Sequence, residues 1–191
     1  MFDPLGRIVE QILADSTPDD LSDNPRRQFE FDAAGQLTAT VDPNGNRTEF
    51  EYDLSGNLVL TRDADGGETI FGLDANGRQV SITDALGQVT EQVFDAAGRI
   101  VATNFANGTT AELTFSDGGL LTASTDQNGN TTQFEYDALG RPILVTEPNG
   151  SQTAYTYDEA GNLLTTTDAN GNVTTNVYDA LGRLVSVCVS G

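Results

Sequence analysis

An aromatic or apolar residue followed by a turn returns every 21 residues along this chain, at Phe31, Tyr52, Leu73, Phe94, Phe115, Tyr136, Tyr157 and Tyr178. A glycine stands four residues after each anchor, at Gly35, Gly56, Gly77, Gly98, Gly119, Gly140, Gly161 and Gly182. A second glycine series runs through Gly45, Gly66, Gly87, Gly108, Gly129, Gly150 and Gly171. A ninth copy, Phe2-Asp3-Pro4-Leu5-Gly6-Arg7, lies 29 residues before Phe31, eight more than the period allows. With Gly6 included, the two series take 16 of the 20 glycines. The chain must therefore be built from one short unit laid down repeatedly.

Both glycine series close the same kind of turn. Asp53-Leu54-Ser55-Gly56 represents the first and Asp42-Pro43-Asn44-Gly45 the second. Asp at the first position, Pro tolerated at the second and Gly at the fourth is the type I signature. The Asp side chain accepts a hydrogen bond from backbone ahead of it, and Gly supplies the positive φ that follows. Such a turn with a left-handed Gly is a common hairpin connection with a bulge. A four-residue turn, a six-residue strand, a second four-residue turn and a seven-residue strand complete the 21 residues. Segments of that length suit strands and are too short for helices. Short turns make successive strands antiparallel neighbours, so the sequence predicts an all-β, continuous antiparallel hairpin meander of about sixteen strands. A sheet of so many twisted strands is expected to curl into a spiral, solenoid or partial shell.

The strands carry readable faces. Two residues before the anchors stand Phe29, Phe50, Phe71, Gln92, Leu113, Phe134, Tyr155 and Asn176, and four before them a column that includes Thr48, Thr69, Thr90, Thr132, Thr153 and Thr174. Anchor and both columns share one face, because side chains alternate along a strand. Glu30, Glu49, Glu51, Glu91, Glu112 and Glu135 fall between them on a mostly solvated face. In the other strand Leu37, Leu58, Ile100, Leu121, Leu163 and Leu184 form one column and Val59, Val80, Val101, Ile143, Leu164 and Val185 the next, so this strand is expected to be partly covered on both faces. Stacked units then contribute stability roughly as a sum of nearest-neighbour terms. The expected organisation is a first offset repeat at 1–9, an irregular insertion at 10–30 and an uninterrupted array at 31–191, all one structural domain.

Composition narrows the chemistry. The 191 residues hold 29 acidic and 9 basic side chains, every basic one Arg, for a net charge of −20. With no His, neither Ser-His nor Cys-His nucleophile activation nor an imidazole metal site is available, and with no Lys there is no Schiff-base or P-loop lysine. The acidity argues against nucleic acid and anionic membranes as partners. Apolar runs of a few residues span no bilayer, no signal peptide is read at Met1, and a single Cys188 makes no internal disulfide.

Tyr136-Asp137-Ala138-Leu139-Gly140-Arg141 and Tyr178-Asp179-Ala180-Leu181-Gly182-Arg183-Leu184, with intervening segments such as Asp126-Gln127-Asn128-Gly129-Asn130, resemble the YD repeat of RHS-repeat proteins. The resemblance covers residues 29–191 continuously and Phe2 to Val9. It implies kinship with bacterial RHS and toxin-complex shells, wall-associated proteins and teneurin ectodomains, whose repeats wind into a hollow β-shell around a C-terminal toxin or its remains. Leu73 for Tyr, Phe115-Ser116 for Tyr-Asp and Phe105 for the second-turn Asp depart from the pattern. Nothing resembles the family's self-cleaving core region and no toxin domain follows Gly191, so the expectation is a stretch of shell wall.

Candidate sites divide between turn chemistry and ligands. Thirteen of the 19 Asp sit in the turns, where backbone hydrogen bonding accounts for them; the alternative is calcium held by Asp42/Asn44/Asn46, Asp126/Asn128/Asn130 and Asp168/Asn170/Asn172, which lack the closing Glu of an EF-hand loop. Arg7, Arg78, Arg99, Arg141 and Arg183, five residues after their anchors, are read as pairing with neighbouring Asp or Glu, with an acidic-sugar stripe as the alternative. The aromatic columns are read as packing, with carbohydrate stacking as the alternative. Asn46, Asn107, Asn130, Asn149 and Asn172 open N-x-Ser/Thr triplets. The stretch Glu10 to Arg27, rich in Asp and carrying Pro18 and Pro25, reads as a lengthened hairpin loop or a partner contact.

No residue is assigned a catalytic, cofactor or metal role, and no cofactor is expected. The leading expectation is a non-enzymatic module of a secreted or surface-displayed, bacterial RHS shell that encloses or displays a toxin. The alternatives are a glycan- or cell-surface-binding adhesin and a self-assembling filament. Expected partners are the rest of the parent chain or neighbouring copies through open sheet edges, an enclosed toxin, and a glycan.

Overall fold

The computed structural model describes residues 1–13 and 24–190. Among these residues there are seventeen strands and no helix, and hence no helix long and apolar enough to cross a membrane. The chain divides into two units, Met1–Gln92 and Val93–Gly191. The first contains β1 (Glu10–Ile12), β2 (Arg26–Phe31), β3 (Leu37–Val41), β4 (Arg47–Tyr52), β5 (Leu58–Arg62), β6 (Glu68–Leu73) and β7 (Gln79–Thr83), and the boundary falls within β8 (Val89–Phe94). The second contains β9 (Ile100–Asn104), β10 (Thr110–Phe115), β11 (Leu121–Thr125), β12 (Thr131–Tyr136), β13 (Pro142–Thr146), β14 (Gln152–Tyr157), β15 (Leu163–Thr167), β16 (Val173–Tyr178) and β17 (Leu184–Ser190). From β1 to β8, and again from β9 to β17, each strand pairs antiparallel with the next. The expected all-β hairpin meander is what forms.

All sixteen rhythmic glycines adopt positive φ, from 73° at Gly182 to 92° at Gly161. Gly67, Gly72 and Gly118, outside the rhythm, do not. At the Asp-opened turns the opening residue uses backbone and side chain together. The Asp53 carbonyl accepts the Gly56 N–H at 3.0 Å, and the Asp53 N–H donates to the Asn57 carbonyl at 2.9 Å. Its Oδ1 accepts the N–H groups of Ser55 and Asn57, both at 2.9 Å. The residue after the glycine therefore gives its N–H to a side chain instead of the ladder. This is why the regular strands are five and six residues long, one fewer than the six and seven read from the sequence.

The two turn series differ beyond the turn itself. Anchor-side hairpins carry a second irregularity: Glu51 faces Leu60 and Tyr52 faces Leu58, so Val59 is an extra residue on the outgoing strand. The opposite hairpins run without a break, as in Ala39, Thr40 and Val41 against Glu49, Thr48 and Arg47. The second series also places Thr opposite Thr, at Thr40↔Thr48, Thr61↔Thr69 and Thr166↔Thr174, pairs that contribute roughly 0.2–1 kcal/mol each.

The face pattern holds: along β12 Thr132, Phe134 and Tyr136 are half-buried while Gln133 and Glu135 are exposed. Outgoing strands inside the array, such as β5 and β11, are half-buried along their full length. The last strand, β17, is exposed throughout, so Leu184 and Val185 are not covered as the column pattern led one to expect: among the described residues no strand follows β17 in the array. Ala39 is the one fully buried apolar residue among those described. The apolar columns stack along the repeat axis without a thick core, which fits a chain only 37% hydrophobic.

The first repeat joins the array despite its offset. Phe2 bridges to Ile8, β1 pairs with β2, and the turn at Asp3 has the same bonds as the others. The terminal pair Ile12↔Arg26 leaves 13 residues between its partners, against five between Val41 and Arg47. The eight surplus residues thus fall between β1 and β2, at the place in the period where a second-series turn stands. Pro18 and the residues that make this stretch rich in Asp, Asp15, Asp19, Asp20 and Asp23, lie outside the described residues.

Two substitutions separate the demands on the glycines. A Cβ on Gly119 would stand 3.3 Å from Arg99 Nη1, whereas one on Gly129 would meet nothing within 4 Å, although both hold positive φ. Gly129→Ala is expected to cost only the left-handed penalty, about 1–2 kcal/mol. Gly119→Ala is expected to cost more, and thermal melts of the two variants check the order.

Candidate functional site: the stacked turn rim

The anchor-side turns form a rim in which each unit reaches to the next. Where Arg follows the turn glycine, its Nε binds the second carboxylate oxygen of the turn Asp: Arg7 to Asp3 at 2.6 Å, Arg78 to Asp74 at 3.0 Å, and Arg99 to Asp95, Arg141 to Asp137 and Arg183 to Asp179 at 2.7 Å. The expected Arg–Asp pairing is thereby met, always four residues apart. Elsewhere Asn takes the same role through Nδ2, as Asn57 does to Asp53 and Asn162 to Asp158. This equivalence of Arg and Asn was readable in Asp-x-x-Gly-Arg/Asn but escapes a search for charge alone.

The Arg side chains also join units. Arg7 lies over the Phe31 ring at 4.5 Å, Arg99 over Phe115 at 4.4 Å and Arg141 over Tyr157 at 4.6 Å. In each case the ring is the anchor of the following repeat, and a contact of this kind contributes about 0.5–1 kcal/mol at an exposed site. Arg141 Nη1 further donates to the Asp158 carbonyl at 3.0 Å. The anchor tyrosines point back: Tyr52, Tyr136, Tyr157 and Tyr178 donate their hydroxyls to the carbonyls of Leu37, Leu121, Pro142 and Leu163 at 2.8–3.0 Å. Neither link could be found from column positions alone, because each depends on the offset between neighbouring strands.

Hydrogen bonding holds the carboxyls of Asp3, Asp53, Asp74, Asp95, Asp137, Asp158 and Asp179 below their ordinary value of 3.8. For Asp95, Asp137 and Asp179 the leading cause is the Arg backbone N–H, followed by the Arg side chain. For Asp53 and Asp158 it is the Asn side-chain amide.

The opposite rim uses the same carboxylate lock with open space around it. The residues of the calcium alternative are brought together, but as a hydrogen-bonded turn: Asn46, Asn130 and Asn172 aim Nδ2 at Asp42, Asp126 and Asp168 at 2.7–2.8 Å, and Asn44, Asn128 and Asn170 donate backbone N–H groups to the other oxygen. Among the described residues no three Asp, Glu, Cys or His side chains converge on a metal-sized site. An open groove of about 520 Å3 runs between two neighbouring turns, lined by Asn149, Ser151, Gln152, Thr167 and Asp168. Two turns of this rim open without Asp, at Phe105 and Glu147. There the third turn residue supplies the oxygen: Asn107 Oδ1 accepts the Thr109 N–H at 3.0 Å, and Asn149 Oδ1 accepts that of Ser151 at 2.9 Å.

In the first unit the solvated face carries a charge ladder. Arg47 bridges Glu30 and Glu49, and Arg62 bridges Glu49 and Glu68, at 2.5–3.0 Å. Hydrogen bonds from Arg47 lower the carboxyls of Glu30 and Glu49. The groups are well exposed, so the ladder orders the surface more than it stabilises it.

With this geometry in hand, the comparisons with known proteins are specific. The family described as RHS Repeat matches residues 31–68, 74–110, 115–152, 139–173 and 157–187. The chain belongs to the RHS repeat family. A search of curated proteins finds no match. Among solved structures the chain is similar to TcdB2-TccC3-TEV, at 21% identity and a TM-score of 0.74, with 99% of this chain covering 11% of that one. It is also similar to TcdB2-TccC3-Cdc42, at 17% identity and a TM-score of 0.51, with 87% of this chain covering 13% of that one. The chain thus spans about a tenth of the length of the structures it matches, and at these identities the likeness is one of fold. It is a structural RHS repeat module.

Two measurements check the rim chemistry. Asn107→Ala removes the only side-chain oxygen that Thr109 N–H has in its turn, so it is expected to lower stability by about 1 kcal/mol, whereas Asn170→Ala, in a turn locked by Asp168, is expected to be near neutral. Denaturant titrations distinguish the two. Acid is the second probe. Because the folded carboxyls of Asp53, Asp95, Asp137, Asp158 and Asp179 titrate below their unfolded value of 3.8, their stabilisation is complete above that value and is lost as pH falls through the folded ones. In salt sufficient to screen the net charge, the melting temperature is expected to hold down to about pH 5 and to fall below 3.8. A level or rising melting temperature there contradicts the lock.

Proposed function

We propose that this RHS repeat module is a length of wall in a larger shell, secreted or displayed at a bacterial surface, that encloses or presents a toxin or effector. The observation that carries the reading is that 99% of the chain matches 11% of a much longer chain, TcdB2-TccC3-TEV, at a TM-score of 0.74. Residues 31–191 act in this reading as an uninterrupted array, with the offset repeat at 1–9 continuing it beyond the insertion at 10–30. Its work is mechanical: the turn carboxylates, the stacked Arg side chains and the anchor hydroxyls turn the chain or join one repeat to the next. The partners are the rest of the parent chain and the enclosed segment.

The rim geometry weighs against carbohydrate stacking on the anchors. Arg7, Arg99 and Arg141 occupy one face of Phe31, Phe115 and Tyr157, and the hydroxyls of four anchor tyrosines are committed to backbone carbonyls. Electron cryo-microscopy of the full-length product that contains these residues tests the proposal. The expected map shows them as consecutive hairpins in the wall of a cavity that holds another segment of the same product. An array bordering no cavity overturns it.

A further inference from the structure

Six Asn-Gly pairs stand at the turns: 44–45, 76–77, 107–108, 128–129, 149–150 and 170–171. An Asn side chain followed by Gly is chemically labile because no Cβ hinders the glycine nitrogen from reaching the Asn Cγ. All six Asn are exposed, and in all six the glycine N–H is donated to the carbonyl of the turn's opening residue at 2.8–3.0 Å. Exposure and backbone bonding therefore do not distinguish them. Their side-chain surroundings do.

At Asn44, Asn76, Asn128 and Asn170 the turn opens with Asp, whose Oδ1 accepts the Asn N–H at 2.8–2.9 Å. A carboxylate two residues away opposes the negative charge that builds on the Asn carbonyl oxygen during attack. Asn149 follows Glu147 and has one donor on Oδ1, the Ser151 N–H. Asn107 follows Phe105, which carries no charge, and its Oδ1 has two donors: the Thr109 N–H at 3.0 Å and the Thr109 hydroxyl at 2.7 Å. That hydroxyl also lies 3.2 Å from Gln127 Oε1, the longer of its two contacts, so its single proton favours Asn107. Two donors fixed on an oxygen where charge will develop make a small oxyanion hole.

We propose that Asn107-Gly108 is a site of spontaneous covalent modification, the first of the six to convert. The Gly108 nitrogen loses its proton to solvent and bonds to Asn107 Cγ; the charge passes to Oδ1, which faces Thr109. The Cγ–Nδ2 bond then breaks and the nitrogen leaves as ammonia with a proton from water. Water adds to either carbonyl of the resulting succinimide, giving aspartate or isoaspartate. The aspartate product places a carboxylate in a turn that lacks one, while isoaspartate lengthens the backbone at the turn.

The test is incubation of the folded protein at mildly alkaline pH, with peptide mass spectrometry following the replacement of NH2 by OH at each of the six sites. Asn107 is expected to convert several-fold faster than the others, and its lead is expected to vanish in denaturant, where the Thr109 donors are no longer held. Thr109→Val keeps the N–H and removes the hydroxyl. With folding verified by circular dichroism, it is expected to slow Asn107 several-fold and leave Asn170 unchanged. Phe105→Asp is expected to slow Asn107 as well, by adding the carboxylate. Another site converting first, a lead that survives denaturant, or an Asn107 rate untouched by Thr109→Val overturns the proposal.

Discussion

At the Asp-opened reversals one side-chain oxygen holds backbone N–H groups that the strand ladder leaves unpaired. A type I turn followed by a left-handed glycine leaves the N–H groups of its third and fifth residues without carbonyl partners. At the edge of a single layer there is no neighbouring element to supply them, and an unmade bond is costly wherever water is excluded. Asp meets both at once, as Asp53 does for Ser55 and Asn57. The requirement is for the oxygen and not for the residue. Ser116 Oγ accepts the Leu120 N–H at 3.1 Å, and Asn107 and Asn149 do the equivalent from inside the turn where Phe105 and Glu147 open it.

With that constraint met, the two rims are free to do different work. The anchor side carries an extra strand residue, Arg stacked on the next anchor, and Tyr bonded back to the previous unit. Its glycines are needed for φ and also for space, since a Cβ on Gly35, Gly56 or Gly119 would stand 3.3 Å from a side chain of the preceding repeat. On the other side a Cβ on Gly45, Gly87, Gly108 or Gly129 would meet nothing within 4 Å, and it is at the place of one of these turns, between β1 and β2, that the sequence departs from its period.

Much of this was legible in the sequence. The glycine rhythm identifies all sixteen left-handed positions and passes over Gly67, Gly72 and Gly118, because type I turn chemistry is local and needs no tertiary information. The alternating faces of β12 and the Arg–Asp pairs follow for the same reason. Strand lengths were overestimated by one because the Asp carboxylate diverts an N–H that would otherwise enter the ladder. The extra residue at Val59 and the contact of Arg141 with Tyr157 were hidden for a different reason. Both depend on the register between strands, and a list of columns fixes periodicity without fixing the offset between one column and its neighbour.

The same lock explains how a chain of net charge −20 sustains a fold with almost nothing fully buried. Net charge weakens a compact state through self-repulsion when the charges are free. Here many of the Asp are not free: Asp137 accepts the N–H groups of Leu139 and Arg141 on one oxygen and the Arg141 side chain on the other, and Asp158 accepts both the N–H and the side-chain amide of Asn162. The negative charge is set against local dipoles, one turn at a time, so the balance does not change as units are added. A thick core grows more stable by enclosing volume, but a stacked rim does so by repetition, each unit adding its own turns and one more interface. The acidity is therefore a consequence of the architecture: a wall made of Asp-opened turns becomes more acidic in proportion to its length.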